Sequence, residues 1–196
     1  RSPHSEDFTY KVMCEDVLEY MKDNNIVDPI ILGHSLGGKV AMKFAFTYPK
    51  KIEKLIVVDI APREYNTDFH KNLLATLYKL NLEGFNKREE IDSVLSSTYE
   101  DKGMRLFLLK NLYRNENKEF VWRFNIDVLL EKVQNIQEAD FIIGNCAIPT
   151  HFIRGGNSDY INSADELIIK KYFTDSSICT INDAGHWLHA EKPERF

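Results

Sequence analysis

The sequence predicts an α/β architecture: a mostly parallel sheet with helices packed on it and one long helical insertion. Three observations point to it. Short apolar segments near 29–32, 54–59, 148–153 and 177–181 read as buried strands. Helix-patterned segments separate the first three of them, the alternation that parallel strands need for their crossovers. The stretch Gly33-His34-Ser35-Leu36-Gly37 stands where the first of these strands turns directly into a helix.

Taken in order, residues 6–24 read as a helix, with Tyr10, Met13, Val17, Leu18 and Met21 at helical spacing. Pro29-Ile30-Ile31-Leu32 is the first strand. Residues 39–48 form the next helix, with Val40, Ala41, Phe44 and Ala45 inward and Pro49 as its stop. Leu55-Ile56-Val57-Val58-Asp59 is nearly all apolar, as a central strand buried on both faces should be. From Ile60 to Ala147 the chain then spends about three times the length that a single crossover needs. The excess predicts a helical cap over 61–147, with the core in 1–60 and 148–196. Helices are expected near 67–81, 87–98, 101–114 and 126–137. Leu73, Leu74, Leu77, Phe107, Leu108 and Tyr113 serve either as the cap's own core or as an apolar wall facing Ser35.

A Gly-x-Ser-x-Gly between strand and helix is a nucleophile elbow, a sharp bend that presents the serine hydroxyl above the sheet. Gly33 and Gly37 are expected to be small because strand and helix pass close together there. Leu36 follows the serine and offers its backbone N–H to an oxyanion, and His34 is expected beneath the elbow. Serine at its ordinary pKa is a poor nucleophile, so a base is required. Of the six histidines, His186 fits best. It lies in Asp183-Ala184-Gly185-His186-Trp187, the loop after the last strand, and so arrives at the same carboxyl-terminal sheet edge as Ser35. Three aspartates compete to orient it: Asp59 at the end of the second strand, Asp159 just past the third, and Asp127 inside the insertion. The residues alone leave that choice open.

The formal net charge of −5, without a basic stripe, argues against nucleic acid. Lys50-Lys51 and Lys170-Lys171 read as solvated element ends. No run approaches the roughly 20 apolar residues that span a bilayer, so no transmembrane segment is expected. Cys14, Cys146 and Cys179 are odd in number, lack metal spacing and read as buried reduced thiols of an intracellular protein. His186 and His189 lack the further ligands of a zinc site, and no phosphate-binding glycine motif follows a strand. Neither a metal nor any other cofactor is expected.

The chain resembles the α/β-hydrolase superfamily, and within it the small acyl-esterase and thioesterase branch that includes a bacterial esterase and a mitochondrial abhydrolase-domain relative. Residues 1–5 (Arg-Ser-Pro-His-Ser), 33–39, Val58-Asp59-Ile60-Ala61-Pro62, Trp122-Arg123-Phe124-Asn125, Gly155-Gly156-Asn157-Ser158 and 184–193 carry the resemblance in family order. It implies a serine hydrolase acting on a small-molecule acyl ester or thioester through an acyl-enzyme, in the cytoplasm or a mitochondrion. It also favours Asp59 over Asp159, because the Val-Asp-Ile-Ala-Pro acid is the one aligned with function in that branch. Dehalogenases and epoxide hydrolases of the same fold carry an aspartate where Ser35 stands, which argues against them.

The family fold has an eight-stranded sheet, so the chain is expected to be the carboxyl-terminal part, without the first strands. The second oxyanion donor would then lie outside it. A strand left bare at the sheet edge predicts self-association of 1–196. The competing expectation is an inactive binding or scaffolding fragment.

Overall fold

The computed structural model describes residues 3–66 and 68–196, so Arg1, Ser2 and Thr67 lie outside the described residues. With them go part of the 1–5 stretch and the first position of the expected 67–81 helix. In chain order the elements are α1 (Tyr10–Asp23), β1 (Ile30–His34), α2 (Leu36–Thr47), β2 (Lys54–Val58), α3 (Phe69–Lys79), α4 (Arg88–Ser96) and α5 (Lys102–Leu109). There follow β3 (Leu112–Arg114), β4 (Phe120–Trp122), α6 (Ile126–Glu131), β5 (Thr150–Gly155), α7 (Ser163–Tyr172), β6 (Ser176–Ile181) and α8 (Leu188–Glu191). Short 3₁₀ turns cover Pro49–Lys51 and Val133–Ile136.

The chain divides into two compact units. The sheet unit comprises Phe8–Asn66 and Gln134–Phe196; the helical unit takes the described residues within Arg1–Asp7 and Thr67–Val133.

In the sheet unit, β1, β2, β5 and β6 form one parallel sheet in that spatial order. Leu55, Val57 and Val58 of β2 have no exposed surface, as the apolar run requires of a central strand. β1 is an edge strand, and Ile30 and Leu32 are about half exposed there. The Thr9 hydroxyl caps α1 by accepting the Val12 N–H, and Tyr10, Cys14 and Met21 are buried along its length. α7 forms where no helix is expected from the sequence, and Asn162 and Asp165 open it with a reciprocal capping box, a pattern visible as Asn-x-x-Asp. Register sets His34 opposite Val58, Val58 opposite Ile153 and Gly155 opposite Ile181. The carboxyl ends of all four strands therefore finish level, the edge at which open α/β sheets carry their chemistry.

One thiol departs from expectation. Cys14 and Cys146 are buried, but Cys179 is exposed. It neighbours Ile178 on β6, and consecutive strand residues face opposite sides of a sheet.

The helical unit has its own core of Leu77, Ile91, Leu95, Leu108, Leu109, Leu112 and Phe120. Leu77 and Leu108 thus belong to that core, whereas Phe107 and Tyr113 are substantially exposed. Arg105 is nearly buried and ties α4 to α5: its Nε donates to Asp92 Oδ1 at 2.7 Å, and Nη1 donates to the Tyr99 and Glu100 carbonyls. The expected 101–114 helix ends early, at Leu109, because β3 and β4 pair as an antiparallel hairpin. Asn115 closes its turn, its side-chain oxygen accepting the Glu119 N–H at 2.9 Å, and Lys118 takes a positive φ of 65°. The short β-forming runs on either side of Asn115-Glu116-Asn117 were the available signal. The expected 126–137 helix is likewise broken, into α6 and the second 3₁₀ turn.

Candidate active site

Ser35 sits between β1 and α2 with φ 54° and ψ −121°, a conformation that L-residues rarely adopt. Its N–H donates to the Val58 carbonyl at 2.9 Å, so the bend is pinned to β2. Clearance for the bend comes from Gly33 and Gly38. A Cβ on Gly33 would lie 2.2 Å from the Gly37 carbonyl oxygen, and one on Gly38 would lie 2.5 Å from Ile60 Cγ2. Gly37 corrects the expectation drawn from the motif, since a Cβ there would meet nothing within 4 Å. Leu36 opens α2, so its N–H belongs to the first turn, whose donors lack an intrahelical acceptor.

Asp59 follows β2 with φ 50° and is completely buried. Burying a carboxylate is costly unless donors surround it, and three do. Gly155 N–H donates to Oδ1 at 3.0 Å, while the Ser158 hydroxyl and His186 Nδ1 both donate to Oδ2, the latter at 2.8 Å. Ser158 enters the sequence reading only within a family-like stretch, and nothing local announced its contact with Asp59. Asp159 is exposed in the loop after β5, and the structure does not bring it to His186. Asp127 lies in the first turn of α6, in the helical unit.

His186 stands in the loop after β6. A Cβ on Gly155 would lie 2.3 Å from the Gly185 carbonyl oxygen, so this loop can cross β5 only over a glycine. Glu191 clamps it from α8, its carboxylate accepting the Gly185 and Trp187 N–H groups at 2.7 and 3.1 Å. His186 Nε2 is 3.0 Å from Ser35 Oγ. Because Asp59 can only accept when ionised, Nδ1 carries the proton and Nε2 is left to accept from the serine. His34 Nε2 donates to the His186 carbonyl at 2.8 Å. Burial pushes the His34 pKa below its ordinary value, which keeps that ring neutral beside His186.

The geometry thus gathers Ser35, Asp59 and His186, with the serine and the histidine 151 positions apart in sequence. An imidazole so held can take a proton from the serine hydroxyl while the buried carboxylate stabilises the resulting charge. A groove of about 390 Å³ runs along β1 between α1 and α2, lined by Met13, Val17, Leu32, Gly37 and Phe44 among others. Gly33 and His34 also line it, whereas Ser35, Asp59 and His186 do not. No group of three or more His, Cys, Asp or Glu residues among those described is arranged to hold a metal ion.

A family model described as alpha/beta hydrolase fold matches residues 1–193. The sn-1-specific diacylglycerol lipase ABHD11 of Mus musculus is 34% identical over 200 residues, covering 100% of this chain and 65% of that protein. Esterase YbfF of Escherichia coli is 30% identical over 195 residues, covering 98% of this chain and 74% of its own length. A solved structure named "Marine microorganism esterase" superposes with a TM-score of 0.95 at 40% identity, covering 100% of this chain and 77% of that one. The chain spans under two thirds of the length of several curated relatives, among them the mouse protein. With the fold, the elbow and the family model in agreement, the chain belongs to the α/β-hydrolase fold family.

Proposed function

We propose that the protein is a serine hydrolase that cleaves carboxylic esters, or the chemically related thioesters, through an acyl-enzyme on Ser35. The observation that carries this reading is the relay from Ser35 Oγ through His186 to a fully buried Asp59, built on a strained elbow. In acylation Ser35 Oγ bonds to the substrate carbonyl carbon as His186 Nε2 takes its proton. His186 then returns that proton to the departing alcohol or thiol. Water repeats the sequence on the acyl-enzyme, releasing the acid and restoring Ser35. The Leu36 N–H supports the oxyanion in both steps. Relatives named as esterase and as diacylglycerol lipase support an ester as the scissile group.

We read the helical unit as a cap-type insertion, on its place in the chain between β2 and β5. The three free thiols, Cys179 exposed among them, support an intracellular setting. A fluorophosphonate probe with intact-mass detection tests the chemistry on the full-length protein. One adduct on wild type, absent from Ser35→Ala, and turnover of 4-nitrophenyl esters are expected. A full-length protein that takes up no probe would instead be a non-catalytic binding member of the fold.

A further inference from the structure

Beyond the three residues of the relay, the ring of Tyr160 stacks on His186 with centroids 4.0 Å apart and planes 22° apart. No sequence signal marked this residue. Its place is fixed from outside the relay. The Tyr160 carbonyl accepts the Tyr65 hydroxyl at 2.5 Å, and its N–H donates to Ser158 Oγ at 3.3 Å. Tyr65 is itself held: its hydroxyl accepts the Ala61 N–H at 2.7 Å, and the Arg63 guanidinium lies 3.9 Å from its ring centroid. Arg63 in turn pairs with the buried carboxylate of Asp165 at 2.7 Å. A line of contacts therefore runs from α7, through the loop after β2, to one face of the imidazole.

The face of a phenol ring is negative, so it attracts a cation more strongly than a neutral ring. His186 is neutral before the reaction and becomes an imidazolium as it takes the Ser35 proton. Its contact with Tyr160 therefore strengthens on the way to the transition state, and only interactions of that kind accelerate a chemical step. The other groups on the His186 ring are Asp59, which favours the cation, and the rings of His34 and Trp187, while His189 packs on His34 and Glu191 of α8 holds the Gly185 and Trp187 N–H groups of the same loop. Burial and the Asp59 carboxylate push the Tyr160 phenol above its ordinary pKa, so the stacked ring stays neutral.

We infer that Tyr160 is a positioning residue that acts through His186, holding the imidazole in plane and stabilising its charged form by ring stacking. The inference rests on the hydrolase reading above, and the test separates the two. Full-length protein is prepared with Tyr160→Phe, Tyr160→Leu, and phenylalanines of increasing ring fluorination at position 160. Fluorine drains the negative ring face with little change in volume, and turnover of 4-nitrophenyl butyrate is measured alongside fluorophosphonate labelling. Tyr160→Phe should keep kcat near wild type, and kcat should fall stepwise with fluorination. Tyr160→Leu should lose about 2- to 30-fold in kcat, the range a cation–π contact spans, with KM nearly unchanged. A flat fluorinated series in an enzyme that still labels at Ser35 overturns the inference and leaves the hydrolase reading standing. Wild type that neither labels nor turns over overturns both.

Discussion

The helical unit and the sheet unit differ in where their polar contacts converge. In the helical unit, Arg105 bonds to Asp92, Tyr99 and Glu100, and the hairpin closes over five residues. Each of these contacts joins near neighbours in sequence. In the sheet unit, Ser35, Asp59, Gly155, Ser158 and His186 converge from four strand ends. Backbone strain separates the units too. Among the described non-glycine residues, Ser35, Asp59 and Asp183 have positive φ and stand just beyond β1, β2 and β6, Asn25 and Asp28 have it in the connection before β1, and Lys118, in the helical unit, makes a turn. Strain concentrated where distant side chains meet marks a site under constraint, and local closure marks a scaffold.

The largest effect that sharpens this contrast is chemical. Ser35→Ala or His186→Ala should reduce kcat by about 10⁵–10⁶-fold while leaving the melting transition in place, as for residues that act as one unit. Activity surviving at a tenth of wild type would mean that the strained elbow is structural. Next in size is the acid. Asp59→Asn should cost about 10³–10⁴-fold in kcat by imposing the wrong tautomer, and Asp159→Asn should stay within about twofold. The reverse ranking would move the orienting carboxylate to the exposed loop.

In the helical unit the expected loss is of stability. Leu77→Ala should destabilise by about 2–5 kcal/mol in chemical denaturation, the range for large-to-small core changes, without altering the labelling rate of folded protein. A changed labelling rate would break the division between the units. A smaller effect compares two glycines of the elbow. Gly37→Ala should change stability by less than about 1 kcal/mol, as expected of a helical glycine with open space around it. Gly38→Ala should cost several times more, because its Cβ would strike Ile60.

The smallest effect concerns Lys39, a buried lysine whose Nζ donates to the Gln137 and Glu138 carbonyls at 2.9 and 2.7 Å. Burial lowers its pKa from 10.5 to about 8. Between those values the unfolded chain binds more protons than the folded one, so this residue makes stability rise with pH. Cys14, raised from 9.0 to about 12 by burial, works in the opposite direction above pH 9, so the Lys39 contribution is read as a difference. The denaturation midpoint of wild type should therefore rise relative to that of Lys39→Met as pH goes from 7 to 10. A constant gap would show that Lys39 keeps its proton throughout.

What the sequence determined by itself was whatever depends on neighbours along the chain. The four core strands follow from short apolar runs, and the elbow from Gly33 through Gly37 lying between a strand and a helix. His186 is legible because a loop after the last parallel strand must surface at the same sheet edge as the elbow. Other features depended on a register or a facing surface. The motif marked Gly33 and Gly37 alike, yet only packing shows that Gly38, and not Gly37, is crowded. Cys179 read as buried until strand alternation placed it outward. Asp59 and Asp159 are both acids at strand ends, and composition cannot rank them. The level pairing of Val58 with Ile153 and of Gly155 with Ile181 does so, because it aims the Gly155 N–H, the Ser158 hydroxyl and His186 at one buried carboxylate. Desolvation makes such convergence necessary, and only the folded sheet supplies it.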